Sequence, residues 1–214
     1  MNRPPPSRPP SSGLPALLEA FVDRFDAQAH IARDPLQFPH RYQEPPDIEA
    51  AAFLAASLAF GRVASFSAVL EVMLEALGPH PAAALRDGDA ALFARAAPRR
   101  YRWLAPEDLG ALLDAVAQAL RSHGSLEGLY ASGARGDPWA DLGAFLDSLR
   151  ASAEANHPAP QDRARALAFL FPRTRGAAAC KRQHLFLRWM VRRTAPDFGL
   201  WTALGPADLV MPCD

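Results

Sequence analysis

Apolar residues recur at helical spacing in two segments of the chain. Their i, i+3, i+4, i+7 pattern places them on one face of an α-helix. Between residues 65 and 77 these positions are Phe66, Val69, Leu70, Met73, Leu74 and Leu77. After Pro106, which suits the first turn of a helix, they are Leu109, Leu112, Leu113, Val116 and Leu120. The pattern predicts two amphipathic helices, each with one buried face.

Other segments predict further helices. Residues 48–60 are apolar on nearly all sides, which predicts a fully buried helix with Asp47 as its N-cap. A first helix is expected over residues 14–31, with Leu17, Phe21 and Phe25 along its buried stripe. The proline-rich residues 33–46 predict an extended loop, because proline lacks the backbone donor that a helix needs. The remaining helices are expected near residues 81–93, 138–153, 162–171, 179–193 and 206–210.

Composition favours an all-α fold. Valine, isoleucine and threonine together number 12, whereas alanine alone contributes 44 of the 214 residues. Strands favour β-branched residues and helices favour alanine and leucine, so a sheet is not expected. Residues 1–13 are rich in proline and serine and predict a disordered tail. We expect residues 14–214 to form one all-α domain.

The charge is balanced overall but unevenly distributed. The chain has 23 basic and 23 acidic residues, yet residues 163–196 contain nine basic residues and no acidic one. The rest of the chain therefore carries 14 basic against 23 acidic residues. Such segregation is typical of a polyanion-binding face. On charge alone, a solvated basic surface that pairs with acidic helices of the same chain is equally well supported.

A helical wheel sorts the basic residues between positions 181 and 193. Lys181, Arg188 and Arg192 fall on one face, with His184 beside them. Trp189 and Leu185 border this face. The opposite face, which we expect to pack on the core, carries Phe186, Leu187, Met190 and Val191.

Lys181 is the only lysine in the chain, against 22 arginines. An amine can lose its proton and attack an electrophile, which a guanidinium cannot do. Burial and neighbouring cations favour loss of that proton. The pattern thus favours Lys181 as a nucleophile, although one lysine among 23 basic residues also arises by chance.

The segment before Lys181 has the pattern of a helical hairpin. An apolar helix over residues 164–171 leads into a turn that contains Arg173, Arg175 and Gly176, and the next helix begins near residue 178. Free N–H groups at that helix start can bind a DNA phosphate. Ordinary helix bundles use the same connection. An upstream cluster, Arg99 to Trp103, is a candidate second DNA contact.

Five segments carry a resemblance to an uncharacterised bacterial family. They are residues 33–42 (RDPLQFPHRY), 47–63 (DIEAAAFLAASLAFGRV), 180–192 (CKRQHLFLRWMVR), 197–201 (DFGLW) and 208–214 (DLVMPCD). That family in turn resembles the helix-hairpin-helix DNA glycosylases, which are two-lobed, all-α proteins. These enzymes bend duplex DNA, flip a damaged base and cleave its glycosidic bond.

The resemblance implies roles for individual residues. Lys181 matches the hairpin lysine that forms a Schiff base with the sugar, and Asp214 matches the aspartate that stabilises the cationic transition state. Arg62, which follows Gly61, matches the place where glycosylases insert a side chain into the base stack. Relative to the family, the chain is expected to be truncated after Asp214. Independently of the resemblance, the basic stretch and the hairpin pattern indicate the residues expected to bind nucleic acid, which are Arg173, Arg175, Gly176, Arg182, Arg188 and Arg192.

The sequence therefore predicts a DNA-binding protein that resembles a base-excision glycosylase and lyase, with double-stranded DNA as its partner. The alternative is a non-catalytic nucleic-acid-binding or protein-interaction domain. Cys180 and Cys213 are too few for an iron–sulfur cluster, and we expect no metal or other cofactor. No apolar run approaches the ~18 residues of a membrane span, so we expect a cytoplasmic protein. Asp197 and Trp201 are expected to be structural.

Overall fold

The computed structural model describes residues 13–24, 26–157, 164–174 and 178–210, and their regular secondary structure is helical. Within these residues the chain forms eleven α-helices and four short 3₁₀ turns, with an isolated bridge between Tyr101 and Leu104 but no strand. The all-α prediction is confirmed. The helices are α1 (Gly13–Arg24), α2 (Ala27–His30), α3 (Pro45–Leu58), α4 (Val63–Leu77), α5 (Pro81–Asp87), α6 (Ala90–Ala96), α7 (Pro106–His123), α8 (Leu126–Gly133), α9 (Pro138–Asn156), α10 (Ala164–Leu170) and α11 (Lys181–Val191).

Helix α3 lies at the centre of the core. Every residue from Asp47 to Leu58 is buried, as the apolar pattern predicted. Five of them are alanines, whose small side chains let neighbouring helices approach closely. Helix α3 contacts α4, α5 and α11, together with the 3₁₀ turns Pro35–Gln37 and Pro39–Arg41. These turns replace the extended loop that the prolines of this segment predicted.

Asp47 caps a different helix from the one predicted. Helix α3 already begins at Pro45, so Asp47 lies inside it and is not its N-cap. The Asp47 carboxylate instead accepts a hydrogen bond of 2.9 Å from the backbone N–H of Ala82 in the first turn of α5. Its other oxygen lies 3.1 Å from Nδ1 of His80. The side chain therefore joins α3 to α5, a long-range role that a local capping pattern cannot reveal.

Glu49 caps the start of α8 in the same way, and α8 is a helix that the apolar pattern did not predict. The buried carboxylate accepts the backbone N–H groups of Leu126 and Glu127, each at 2.9 Å. It also accepts the indole Nε1–H of Trp201 at 2.7 Å. Burial raises the pKa of Glu49 because desolvation disfavours its charged form.

The amphipathic helices match their patterns closely. All six apolar positions named in α4 are buried, and so are all five in α7. Their buried faces belong to one hydrophobic cluster that extends along the chain from Leu36 to Leu204. The helix expected near residues 206–210 is a 3₁₀ turn, Pro206–Asp208.

The first helix departs from its prediction. Helix α1 ends at Arg24, and no residue of it is buried: Leu17 is 46% exposed and Phe21 is 64% exposed. Phe25, the third member of the expected stripe, lies outside the described residues. An apolar stripe predicts the face that a helix would bury, but burial also needs another element to cover that face.

We predict that Glu49→Ala destabilises the protein by about 3–5 kcal/mol, because it leaves two buried N–H donors and one part-buried N–H donor without their acceptor. The matched control is Glu71→Ala, which removes a carboxylate paired with Arg41 at the surface and should cost less than about 1 kcal/mol. Urea unfolding followed by circular dichroism measures both. Equal losses in the two variants would contradict the assigned role of Glu49.

Candidate nucleic-acid interface

Helix α11 packs one face against α3 and presents a basic face on its other side. Phe186, Leu187, Met190 and Val191 are buried, as the helical wheel predicted. Trp189 is also fully buried, so it belongs to the core and does not border the basic face.

The basic face of α11 forms one wall of a groove of about 350 Å³. The groove brings together three of the predicted site residues, Lys181, Arg188 and Arg192. The side chain of Lys181 is exposed in it. Its opposite wall comes from the last part of the described chain. The lining residues are Lys181, His184, Leu185, Arg188, Arg192, Leu209 and Val210.

Asp197 holds the two arginines of this groove in place. Its carboxylate is fully buried and lies 3.1 Å from Nη2 of Arg188 and 3.4 Å from Nη1 of Arg192. The arginine side chains themselves are 42% and 45% exposed. A guanidinium has five N–H donors, so each arginine keeps donors beyond those that face Asp197. Two cations therefore share one buried anion.

His184 lies beneath the groove and is almost fully buried. Its ring stacks on the indole of Trp139, with centroids 5.4 Å apart and planes 13° apart. Neither ring nitrogen of His184 has a hydrogen-bond partner among the described residues. Burial lowers the pKa of His184, because the charged form loses its hydration.

Helix α9 anchors the turn that precedes α11. The indole N–H of Trp139 donates to the carbonyl oxygen of Thr174 at 3.1 Å. Thr174 is buried against Gly143 of α9, where a Cβ would collide with the threonine hydroxyl oxygen. The glycine thus permits the close approach of Thr174, in the segment after α10, to α9.

Arg182 points away from the groove and into the protein. Its guanidinium donates to the carbonyl oxygens of Ser57 and Phe169, the latter at 2.5 Å. It also stacks over the rings of Phe169 and Phe60, at 3.9 and 5.5 Å from their centroids. Burial lowers the pKa of Arg182 to about 10. This side chain ties α11 to the ends of α3 and α10.

The remaining predicted site residues lie apart from the groove or outside the described residues. Arg62 is exposed at the start of α4, and Arg173 is exposed in the turn after α10. Arg175, Gly176 and Asp214 fall among the residues that the structure does not describe.

A larger cavity, of about 670 Å³, lies elsewhere between α6, α7 and the end of α9. Its polar wall includes Asp114, which accepts a 2.7 Å hydrogen bond from Asn156 and lies 3.5 Å from His157. None of the predicted site residues lines it.

Sequence reasoning missed two features of the interface. Asp197 is the first acidic residue after the basic stretch, a position that could have predicted its pairing with Arg188 and Arg192. Phe60 and Phe169 lie over a hundred residues apart in the chain but pack together, and no local pattern predicts that contact.

The described residues contain neither a candidate metal site nor a candidate membrane span. No group of three or more histidine, cysteine, aspartate or glutamate side chains there is placed to hold a metal ion. In the same part of the chain, no helix is both long and apolar enough to cross a membrane.

Comparison with known proteins identifies a family but no activity. Residues 34–214 match a family described as "Protein of unknown function (DUF2400)". No curated protein matches the chain, and no solved structure does. The match begins after α1 and α2, and it includes every element that lines the groove.

We predict that His184 makes the stability of the fold depend on pH. Its folded-state pKa is lowered, so the unfolded chain binds more protons as the pH falls below about 6.5. The free energy of unfolding should therefore decrease as the pH falls below that value. Above it, His184 should add no pH dependence. His184→Phe keeps a ring against Trp139 and should lose the part of the pH dependence of unfolding that His184 causes. Urea unfolding of both proteins between pH 5 and 8 provides the measurement, and parallel curves would contradict the prediction.

Proposed function

The chain belongs to the DUF2400 family, whose function is unknown, and we propose that it is a DNA-binding protein that removes a damaged base, with Lys181 as nucleophile. The observation that carries this proposal is the shared groove. Lys181, Arg188 and Arg192 line it together, and its other wall, Leu209 and Val210, leads along the chain to Asp214.

The charge of the groove supports binding to phosphate. Arg188 and Arg192 carry two positive charges against the one negative charge of Asp197 that they share, and Lys181 lines the same groove. Asp197 fixes the two guanidinium groups, so less side-chain entropy is lost when they bind a phosphate. Arg182 is not part of this proposed surface, because it donates to backbone carbonyl groups.

The proposed chemistry uses the only lysine side chain. The deprotonated amine of Lys181 attacks C1′ of the damaged nucleotide, and a bond forms from Nζ to C1′. The bond from C1′ to the base breaks, and the base leaves with the electron pair and takes up a proton. The C1′–O4′ bond then breaks, O4′ keeps its electron pair and takes up the second proton from nitrogen, and the C1′=Nζ double bond that forms is the Schiff base.

Asp214 is the proposed partner that stabilises the cationic transition state. It follows Val210 by four residues, and four residues of extended chain span at most about 14 Å. The length of chain beyond the groove wall is therefore compatible with a carboxylate that reaches the reacting sugar.

We predict that borohydride traps a covalent adduct between the protein and duplex DNA that contains an abasic site. Lys181→Ala should form no adduct. Lys181→Arg keeps the positive charge and should bind the duplex without forming one. Denaturing gels detect the adduct, and peptide mapping separates Lys181 from the N-terminal amine, which is the other primary amine. An adduct of equal yield in Lys181→Arg would exclude Lys181 as the nucleophile.

The ion pairs of Asp197 favour a second candidate function, a DNA-binding module without catalysis, because they organise two arginines along the groove and phosphate binding by these arginines needs no nucleophile. Duplex binding without any adduct would distinguish this function from the first.

We predict that changing both Arg188 and Arg192 to alanine weakens duplex binding. The slope of log affinity against log salt concentration should fall by about 2, as expected for two lost phosphate contacts. Arg41→Ala is the matched control, since Arg41 is an exposed, ion-paired arginine of the 3₁₀ turn Pro39–Arg41. Fluorescence anisotropy with a labelled duplex measures all three proteins. The same slope in the double variant and the wild type would contradict binding at this groove.

A further inference from the structure

Four aromatic rings form a continuous row that runs from the core to the surface. Neighbouring ring centroids are 4.7 Å apart for Tyr101 and Phe60, 4.7 Å for Phe60 and Phe169, and 4.8 Å for Phe169 and Trp103. All three contacts are edge-to-face, the geometry that aromatic pairs favour. Tyr101 is buried, whereas Trp103 is 38% exposed at the other end.

A tight turn fixes the exposed end of this row. Tyr101 and Leu104 exchange two backbone hydrogen bonds, of 3.0 and 2.9 Å, and both side chains are buried. Arg102 and Trp103 lie between them at the exposed tip, where Arg102 adopts a left-handed conformation with φ of 55°. The tyrosine hydroxyl also donates to the carbonyl oxygen of Phe60. The buried pair thus holds the tip in position.

Two arginines lie over rings of this row. The guanidinium of Arg165 lies 5.7 Å from the ring centroid of Trp103, and that of Arg102 lies 5.6 Å from the centroid of Phe60. Gly61 brings a second turn close to this tip, since a Cβ there would lie 2.6 Å from Nη1 of Arg102. Arg62 and Val63, which follow Gly61, are both exposed.

The charges of this surface differ from those of the groove. Among the described residues, no carboxylate forms an ion pair with Arg62, Arg102 or Arg165. The arginines of the groove, Arg188 and Arg192, share Asp197. The cations of this surface are therefore available to an anionic partner, and Arg165 lies beside the exposed indole of Trp103.

We propose that Trp103, Arg102 and Arg165 form a binding surface for single-stranded DNA, in which an unpaired base stacks on Trp103 and the arginines contact the flanking phosphates. Exposed aromatic rings beside cations are how proteins bind single strands without reading their sequence. Duplex DNA fits this surface less well, because its bases already stack on one another. The inference goes beyond the proposed function and does not involve Lys181.

The exposure of Trp103 provides a direct test. Trp189 and Trp201 are buried and Trp139 is part-buried, so a ligand that stacks on an indole should quench mainly Trp103. We predict that an oligothymidylate of about 12 nucleotides quenches the protein fluorescence, and that Trp103→Phe, which keeps a ring for stacking, binds the strand without that quenching.

Affinity provides the second readout, measured by fluorescence anisotropy with the same labelled strand. Trp103→Ala should weaken binding by about tenfold, as expected for one lost base stack. Phe21→Ala is the matched control, because Phe21 is an exposed aromatic residue of α1 outside the row, and it should bind as the wild type does. Changing Arg102 and Arg165 to glutamine should lower the salt dependence of binding. Circular dichroism checks that each variant is folded.

Three results would overturn this inference: no quenching by the strand, equal affinity of Trp103→Ala and the wild type, or equal competition by polyglutamate at the same charge concentration. The last result would mean that charge alone accounts for binding. Lys181→Ala separates the two proposals, because it should keep the affinity for the single strand while it loses the borohydride adduct.

Discussion

The buried carboxylate of Glu49 is the interaction on which the arrangement of this protein depends. It sits in the central helix and satisfies donors from α8 and from Trp201, two parts of the chain more than 70 residues away from each other. Trp201 in turn donates its backbone N–H to Met190 at the end of α11. Glu127 accepts the backbone N–H of Ala203, so the segment after α11 is held on both sides. Because that segment continues to Leu209 and Val210, the fixed carboxylate also determines where the second wall of the groove begins.

The sequence predicted those features that depend on local periodicity. The apolar stripes of α4 and α7 have the correct residues buried, because i, i+3, i+4 spacing alone decides which face of a helix is apolar. Local periodicity cannot predict the contacts of Asp47 and Glu49. Both look like residues of a helix start, yet their carboxylates cap α5 and α8, and only the packed structure brings those helices to α3. Helix α1 shows the converse, since its apolar pattern is real but no described element buries it.

The basic residues of the last third of the chain divide into groups with different environments. Arg182 is enclosed and ties α11 to α3 and α10, whereas Arg188 and Arg192 are half-exposed and held by one aspartate. The sequence placed Lys181, Arg188 and Arg192 on a common face, and the structure places them along one groove. It could not separate Arg182 from them by charge, because the partners of Arg182 are backbone carbonyl groups and aromatic rings from distant segments.

We propose that DNA occupies the groove beside Lys181, and the single lysine of the chain makes a direct measurement of this binding available. Reductive methylation with ¹³C-formaldehyde labels Lys181 and the N-terminal amine, giving two resolvable carbon resonances. A dimethylated lysine keeps its charge and cannot form a Schiff base, so its resonance reports binding alone. On addition of duplex DNA with an abasic site, we expect the Lys181 resonance to shift or broaden while the N-terminal resonance stays in place. An unchanged Lys181 resonance at saturating DNA would contradict this proposal.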